Sequence, residues 1–554
     1  MNLVTARWKQ RAWVVPGLSA LVFLLTGLAL LPYPGLQSDE VAFWQVLTRE
    51  QMSCYTWKLG GLTIPVMQLS YVGALKSWLY WPLFHIFDPS VWSVRLPVLL
   101  CGVLTIWLTW CWMRRLAGVG AAIVTTILLG TDTVFLLTDT FDWGPVALQH
   151  VFLTGGLLSV QRWLQSSSRR YLALGFFLWG VGLFDKALLI WPLAGLAVGV
   201  ACVFPGELFR RLRLGTAAVA LVSLLCGAAP LVVYNLSRVA PTVSQNVHIQ
   251  TDTILVKAHL LYRVFDGTSL MGTLAYWDRE DGQDRPPRNF LERTVLRIEK
   301  RLPGHRKNWM PLGYILGLCC FVLLWRGRGS PLAWRVLLFL LIVMFVEWTL
   351  MALTKAAGFY SHHTILLWPF PLAFVGIAFS EAAQRLRRFG WPLAAIVVGL
   401  LAVGNLLTTN RYLADFIANG PRGDWTDAVN PLVSLFQDGS VQRVAAVEWG
   451  YLWEIQMLTS KRVKRDCRDH FLEVNAPLIG TCSPLNDSGG NEIGKFIAYP
   501  DAVFVQHTRG KELRPGVNER FLSLVSALGY REEIDRVVYD GHGRPVFEVF
   551  RLRR

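Results

Sequence analysis

Long apolar runs separated by short polar turns recur along the chain until about Thr409, where the pattern changes to shorter, mixed segments. A helix that crosses a bilayer needs about 20 mostly apolar residues, and the runs predict eleven such spans, at roughly 12–32, 95–113, 118–137, 144–163, 171–184, 187–204, 213–234, 310–325, 333–353, 362–380 and 391–409. The expected fold class is therefore a polytopic α-helical membrane protein. Two connections are too long to be turns, 32–94 and 235–308. In the first, Tyr71 to Phe84 is apolar and aromatic but interrupted by Gly73, Lys76 and Pro82, which predicts helices lying in the membrane interface. After Arg411, strand-like runs (441–447, 502–506, 546–552) mix with helical ones (426–436, 518–528). Residues 1–410 then form the membrane module and 411–554 a small soluble α/β domain.

Composition agrees: the chain is 53% hydrophobic and 17% charged, with a mean hydropathy of +0.39. Charge adds the orientation. Arg7, Lys9 and Arg11 precede the first span, which is too long for a signal h-region and predicts an uncleaved cytoplasmic start. The turns on that side are Arg114-Arg115, Arg162 to Arg170, Arg210 to Arg213, Arg326 to Arg335 and Arg385 to Arg388. The opposite turns, Thr138 to Trp143, Asp185-Lys186 and Thr354 to Ser361, carry acids or single lysines. The positive-inside rule then puts both long connections and the soluble domain outside a plasma (inner) membrane.

The net charge of +16 sits largely in the inner turns, so it gives no reason to expect nucleic acid. A second basic cluster, Arg285, Arg288, Arg293, Arg297, Lys300, Arg301, Arg306 and Lys307, lies in the long outer connection. It could rest on anionic membrane lipids, meet a phosphorylated substrate, or be a solvated amphipathic helix. Of nine cysteines, Cys467 and Cys482 share the soluble domain and could form a disulfide, leaving Cys54 free.

Ionisable residues gather on the outer side: Asp39 and Glu40, Lys76, Asp139 and Asp142, Asp185-Lys186, Lys355, His362 and His363. Charged groups beside spans are costly, so a cluster drawn from several connections marks a functional cavity more strongly than any one member. Acids can serve as bases, and lysines and histidines can hold phosphate. Structural readings stay open: Lys76 could snorkel from an interfacial helix, Asp185-Lys186 could be an ion pair closing a turn, His362 and His363 could be hydrogen-bonded helix-start residues, and Asp139 a solvated turn residue. Asp39, Asp142 and His362 are side chains that can hold a divalent metal, but their spacing gives no ligand set.

Several short motifs occur in a particular order: Ser38-Asp39-Glu40, Gly73-Ala-Leu-Lys76, Arg95-Leu-Pro97, the acidic turn Asp139 to Asp142, Gly182-Leu-Phe-Asp-Lys186, Tyr360-Ser-His-His363 and Trp368-Pro369. Over roughly residues 1–410 this order resembles the GT-C membrane glycosyltransferases, in the branch of protein O-mannosyltransferases and lipid A aminoarabinose transferase (glycosyltransferase family 39). The resemblance implies transfer of a sugar from a polyprenyl-phosphate donor to a lipid, glycan or protein acceptor. It implies catalytic roles for Asp39, Glu40 and Asp142, and donor-phosphate contacts from Lys76, Lys186, His363 and Tyr360. A lipid or small-solute transporter is the alternative; it would show inverted repeats and broken helices at mid-membrane. A non-catalytic scaffold would leave the acid and base cluster unexplained.

Overall fold

The computed structural model describes residues 12–48, 53–278, 285–326, 331–355, 357–459, 466–469, 497 and 499–554. The expected spans fall on helical segments, some single, such as Val14–Leu30, Val91–Leu116, Pro331–Leu353 and Gly390–Asn419, and others divided, 118–137 between Gly118–Thr131 and Thr133–Thr138 and 362–380 between Ser361–Thr364 and Phe370–Arg385. Among the described residues four helical segments are long and apolar enough to cross a membrane, and two further pairs qualify if each bent pair is one span. Those pairs bend by 105° after Val203 and by 75° after Gly227. Val14–Leu30, Gly118–Thr131 and Met310–Trp325 are shorter apolar helices.

Without water to expel between them, helices in lipid associate by close packing, and small residues set how close they come. Arg169–Asp185 and Leu214–Gly227 cross backbone to backbone. A Cβ on Gly180 would sit 2.2 Å from the Leu224 carbonyl oxygen, and one on Gly227 2.2 Å from that of Phe177.

The first long connection is more ordered than its pattern predicts. It holds the helix Ser38–Thr48, an antiparallel sheet of β1 (Tyr55–Leu59), β2 (Leu62–Leu69) and β3 (Val72–Gly73), and the helix Leu75–Ile86. The apolar segment expected as interfacial helix is thus a strand end followed by a helix. That helix buries Lys76, Ser77, Tyr80 and Phe84 and leaves Leu79, Trp81 and Ile86 exposed. The second long connection contains Ile254–Phe265, Thr268–Leu274 and Phe290–Arg301.

The Gly390–Asn419 helix runs through residue 410 without a break and leads to a five-stranded sheet ordered β5-β4-β6-β8-β7. Its strands are β4 (Arg443–Ala446), β5 (Asp466–Asp469), β6 (Ala502–His507), β7 (Arg531–Tyr539) and β8 (Pro545–Arg553). β4 pairs in parallel with β5 and β6, while β8 pairs antiparallel with β6 and β7. Cys54 is disulfide-bonded, which corrects the expectation that it stays free. The expected Cys467–Cys482 pairing falls on side chains outside the described residues.

Candidate active site

The turn between Thr138 and Ala147 draws the separate connections together. The short helix Thr133–Thr138 is capped by Asp132, whose Oδ1 accepts the Phe135 N–H at 2.8 Å, and it delivers Asp139 at its end. Asp139 meets His150 Nδ1 at 3.0 Å, and His150 Nε2 lies 3.0 Å from the Ile365 carbonyl. Both side chains are fully buried, so Asp139 is an internal partner and not a solvated turn residue.

Three residues on, Asp142 accepts Lys76 Nζ at 2.7 Å on one oxygen and the Val146 N–H at 2.8 Å on the other. Lys76 Nζ also approaches the Glu40 carbonyl at 3.4 Å and lies 4.9 Å from the Phe43 ring centre. It is 4% exposed, which removes the snorkelling reading. Trp143 Nε1 donates to Asp39 Oδ2 at 2.9 Å. Gly144 follows, and a Cβ there would be 3.3 Å from Lys186 Nζ. Asp39 and Lys76 from the first long connection, Asp142 and Lys186, drawn from three different connections, therefore meet around one turn.

Asp39 stands in the first turn of Ser38–Thr48, where a carboxylate is favoured by the helix dipole. Its N–H donates to Gln37 Oε1 at 2.6 Å, and Gln37 Nε2 donates to Asp424 Oδ2 at 2.8 Å. Asp39 is partly exposed, unlike Glu40 and Asp142, and its Oδ1 has no hydrogen bond among the described residues. Burial raises its pKa above the usual carboxylate range; the hydrogen bond from Trp143 and the charge of Lys186 offset part of that rise. Burial likewise lifts Asp424 to about 6.

Glu40 is spent differently. Arg95 Nε and one terminal nitrogen hold its two oxygens at 2.9 and 2.6 Å, and both side chains are fully buried. The rest of the Arg95 guanidinium donates to the carbonyls of Leu31, Pro34 and Gly35 at 2.6 to 2.9 Å. Such a bidentate, fully satisfied pair fixes the chain as it leaves the first helix.

Lys186 lies between the Arg169–Asp185 helix and the next turn, tied there by a bridge to Val72 and by the Ala187 N–H to the Tyr71 carbonyl at 2.9 Å. Lys186 is 3% exposed, and its ammonium makes no ion pair or hydrogen bond among the described residues. Burial pulls its pKa down to about 8 against the opposing pull of Asp142, Asp185 and Asp39. The Asp185-Lys186 ion pair expected to close the turn is not formed: both Asp185 oxygens are buried without a partner.

His362 and His363 stack near Trp143 and Tyr360, with Trp143 to His362 ring centres 5.0 Å apart and Tyr360 to His362 5.3 Å apart. Nδ1 of each is buried without a hydrogen-bond partner, contrary to the reading as hydrogen-bonded helix-start residues. Lys355 is exposed, and its backbone N–H donates to the His248 carbonyl. Among the described residues no group of three or more His, Cys, Asp or Glu is placed to hold a metal ion, and Asp39, Asp142 and His362 do not converge as ligands.

Beside this cluster opens a cavity of about 460 Å³ walled by Trp143, Tyr276, Trp277 and Tyr360, with Arg263 and Arg422 among its lining. Flat aromatic faces suit a sugar ring and guanidinium groups suit phosphate. Arg263, Trp143, Gln37 and Asp424 carried no warning in the sequence. Arg95 did: a charge at the head of an apolar run needs a buried partner.

Residues 73–234 match the family model described as dolichyl-phosphate-mannose-protein mannosyltransferase. That stretch includes Lys76, Arg95, Asp139, Asp142 and Lys186. In fold the chain is similar to ArnT from Cupriavidus metallidurans. The match to the form bound to undecaprenyl phosphate has 13% identity, a TM-score of 0.56, and covers 97% of this chain and 98% of that one. The match to the apo form has 12% identity, a TM-score of 0.57, and covers 99% and 98%. The Archaeoglobus fulgidus oligosaccharyltransferase tethered with an acceptor peptide matches at 12% identity and a TM-score of 0.50, over 98% of this chain and 74% of that one. No curated protein sequence is matched. The family model thus covers the acidic turn and both lysines, and along nearly its whole length the chain is similar in fold to ArnT.

Proposed function

We propose that the chain moves a sugar from a polyprenyl-phosphate donor to an acceptor hydroxyl at the extracytoplasmic face of the inner membrane, with Asp39 as the base. The observation that carries this reading is the pairing of a partly exposed carboxylate with an unpaired, buried lysine around one turn, next to an aromatic and arginine-lined cavity. The undecaprenyl phosphate of the Cupriavidus metallidurans ArnT structure supports a lipid-phosphate donor, and the arginine-rich turns support the sidedness.

In the reaction the acceptor O–H gives its proton to Asp39 Oδ1 as its oxygen bonds to the anomeric carbon. The bond from that carbon to the phosphate oxygen breaks, and its electron pair stays on the phosphate. Lys186, with Arg263 at the cavity wall, offsets the charge that develops there. Tyr360 and Trp143 face the sugar, and His363 adds a ring nitrogen beside the phosphate. Lys76 and Asp142 neutralise one another and hold the turn that orients Trp143. Glu40 acts through Arg95 by fixing the start of the Asp39 helix. A transporter is not favoured: neither helix bend carries a residue of the cluster.

The test is release of free polyprenyl phosphate from native membrane lipids by the full-length chain. Asp39→Asn is expected to lower turnover by about 100-fold to 10,000-fold while the melting temperature of the purified protein holds. Turnover equal to the unmodified protein would remove Asp39 from the chemistry.

A further inference from the structure

The helix Phe290–Arg301 packs on Gly390–Asn419 through one face only. Glu292 and Val295 are buried there, Asn410 Nδ2 donates to the Val295 carbonyl at 3.3 Å, and Arg411 pairs with Glu299 at 3.0 Å. At about 100° per residue the opposite face divides into two flanks. Phe290, Leu291 and Ile298 make an apolar flank, exposed by 75%, 41% and 37%. Arg293, Arg297, Lys300 and Arg301 make a cationic flank, all exposed. Leu302, 60% exposed, extends the apolar side. A few residues on, Lys307 and the 37% exposed Trp309 lead into the apolar helix Met310–Arg326, whose Leu312, Ile315 and Leu323 are also exposed.

We propose that this face docks on an anionic phospholipid surface, with the apolar flank entering the interface and the cations on headgroup phosphates. A soluble phosphorylated ligand would explain the cations but not the adjoining row of exposed apolar side chains. A membrane surface explains both, because it offers hydrocarbon and negative charge within one helix diameter. Continuity with an apolar helix at Met310 holds the surface at the depth where headgroups lie. The tryptophan at that junction fits the same level. This surface is separate from the Asp39 cluster, so its test does not depend on the sugar-transfer reading.

The experiment is hydrogen exchange of the full-length chain in nanodiscs of phosphatidylcholine alone or of phosphatidylcholine with phosphatidylglycerol. Exchange over residues 290–301 is expected to slow by about tenfold or more in the anionic discs, an effect that added salt weakens. The variant R293Q/R297Q/K300Q/R301Q is expected to lose that difference while exchange in β6 and β8 stays unchanged. Equal exchange in both discs would overturn the proposal. So would equal protection by inorganic phosphate in phosphatidylcholine discs, which would make the face a site for a soluble anion.

Discussion

Two carboxylates adjacent in sequence, Asp39 and Glu40, have opposite fates because the helix turns one toward Arg95 and the other toward Trp143. A carboxylate neutralised by two guanidinium nitrogens in a sealed site is out of reach of an acceptor hydroxyl, whereas Asp39 is partly exposed. Lys186 is the reverse case, a cation buried among acids yet bonded to none. Its lowered pKa makes a prediction about pH. The ammonium is charged below about 8 and neutral above, so phosphate attraction is lost as pH rises through that value. Asp39 must be ionised to accept a proton, so activity also falls as pH drops through its raised pKa. The kcat/KM profile for donor, which reports the free protein, is expected to be bell-shaped with its alkaline limb near 8. Lys186→Arg is expected to abolish that limb, since an arginine stays protonated, and an unmoved limb would assign it to another group.

At the scale of elements, the short strand β3 decides where Lys186 stands. Gly73 lies against the end of the Arg169–Asp185 helix so closely that a Cβ would come 2.1 Å from the Phe184 carbonyl oxygen, and Val72 bridges to Lys186 itself. Gly73→Ala must therefore push strand and helix end apart. Displacements of about 1 Å at a reacting centre can cost about 100-fold in rate, so donor turnover is expected to fall by that order with only a modest drop in melting temperature. Turnover like that of the unmodified chain would show that the strand does not position the lysine. The sequence carried the motif around Gly73 but not its contact, because a strand two residues long leaves no periodic trace. The helices were legible for the opposite reason: long apolar runs leave few other structures in lipid. β7 escaped notice because Arg531–Tyr539 is mostly charged and half exposed, as an edge strand can be without a core-facing alternation.

At the scale of the whole molecule, residues 424–456, on the way to and within the C-terminal sheet region, hold the first long connection. Ser38 donates to Glu454 at 2.9 Å, Gln45 to Gln456 at 2.8 Å, Gln37 to Asp424 at 2.8 Å, and the Gly35 N–H to the Trp425 carbonyl at 2.8 Å. These contacts link positions 387 to 416 residues apart, and no local pattern could have announced them. What the sequence did carry was the set of charged side chains that separate connections bring together. Asp39, Lys76, Asp142 and Lys186 were all visible as costly residues beside apolar runs. Their division into paired and unpaired members needed the fold, since Asp142 neutralises Lys76 and leaves Lys186 alone. The most direct measurement is an experimental structure of the full-length chain with undecaprenyl phosphate. The expected result is a phosphate within about 3 Å of Lys186 Nζ, beside the cavity lined by Trp143, Arg263 and Tyr360, with Asp39 facing it. A phosphate bound away from Lys186, with Asp39 walled off from it, would contradict the proposed site.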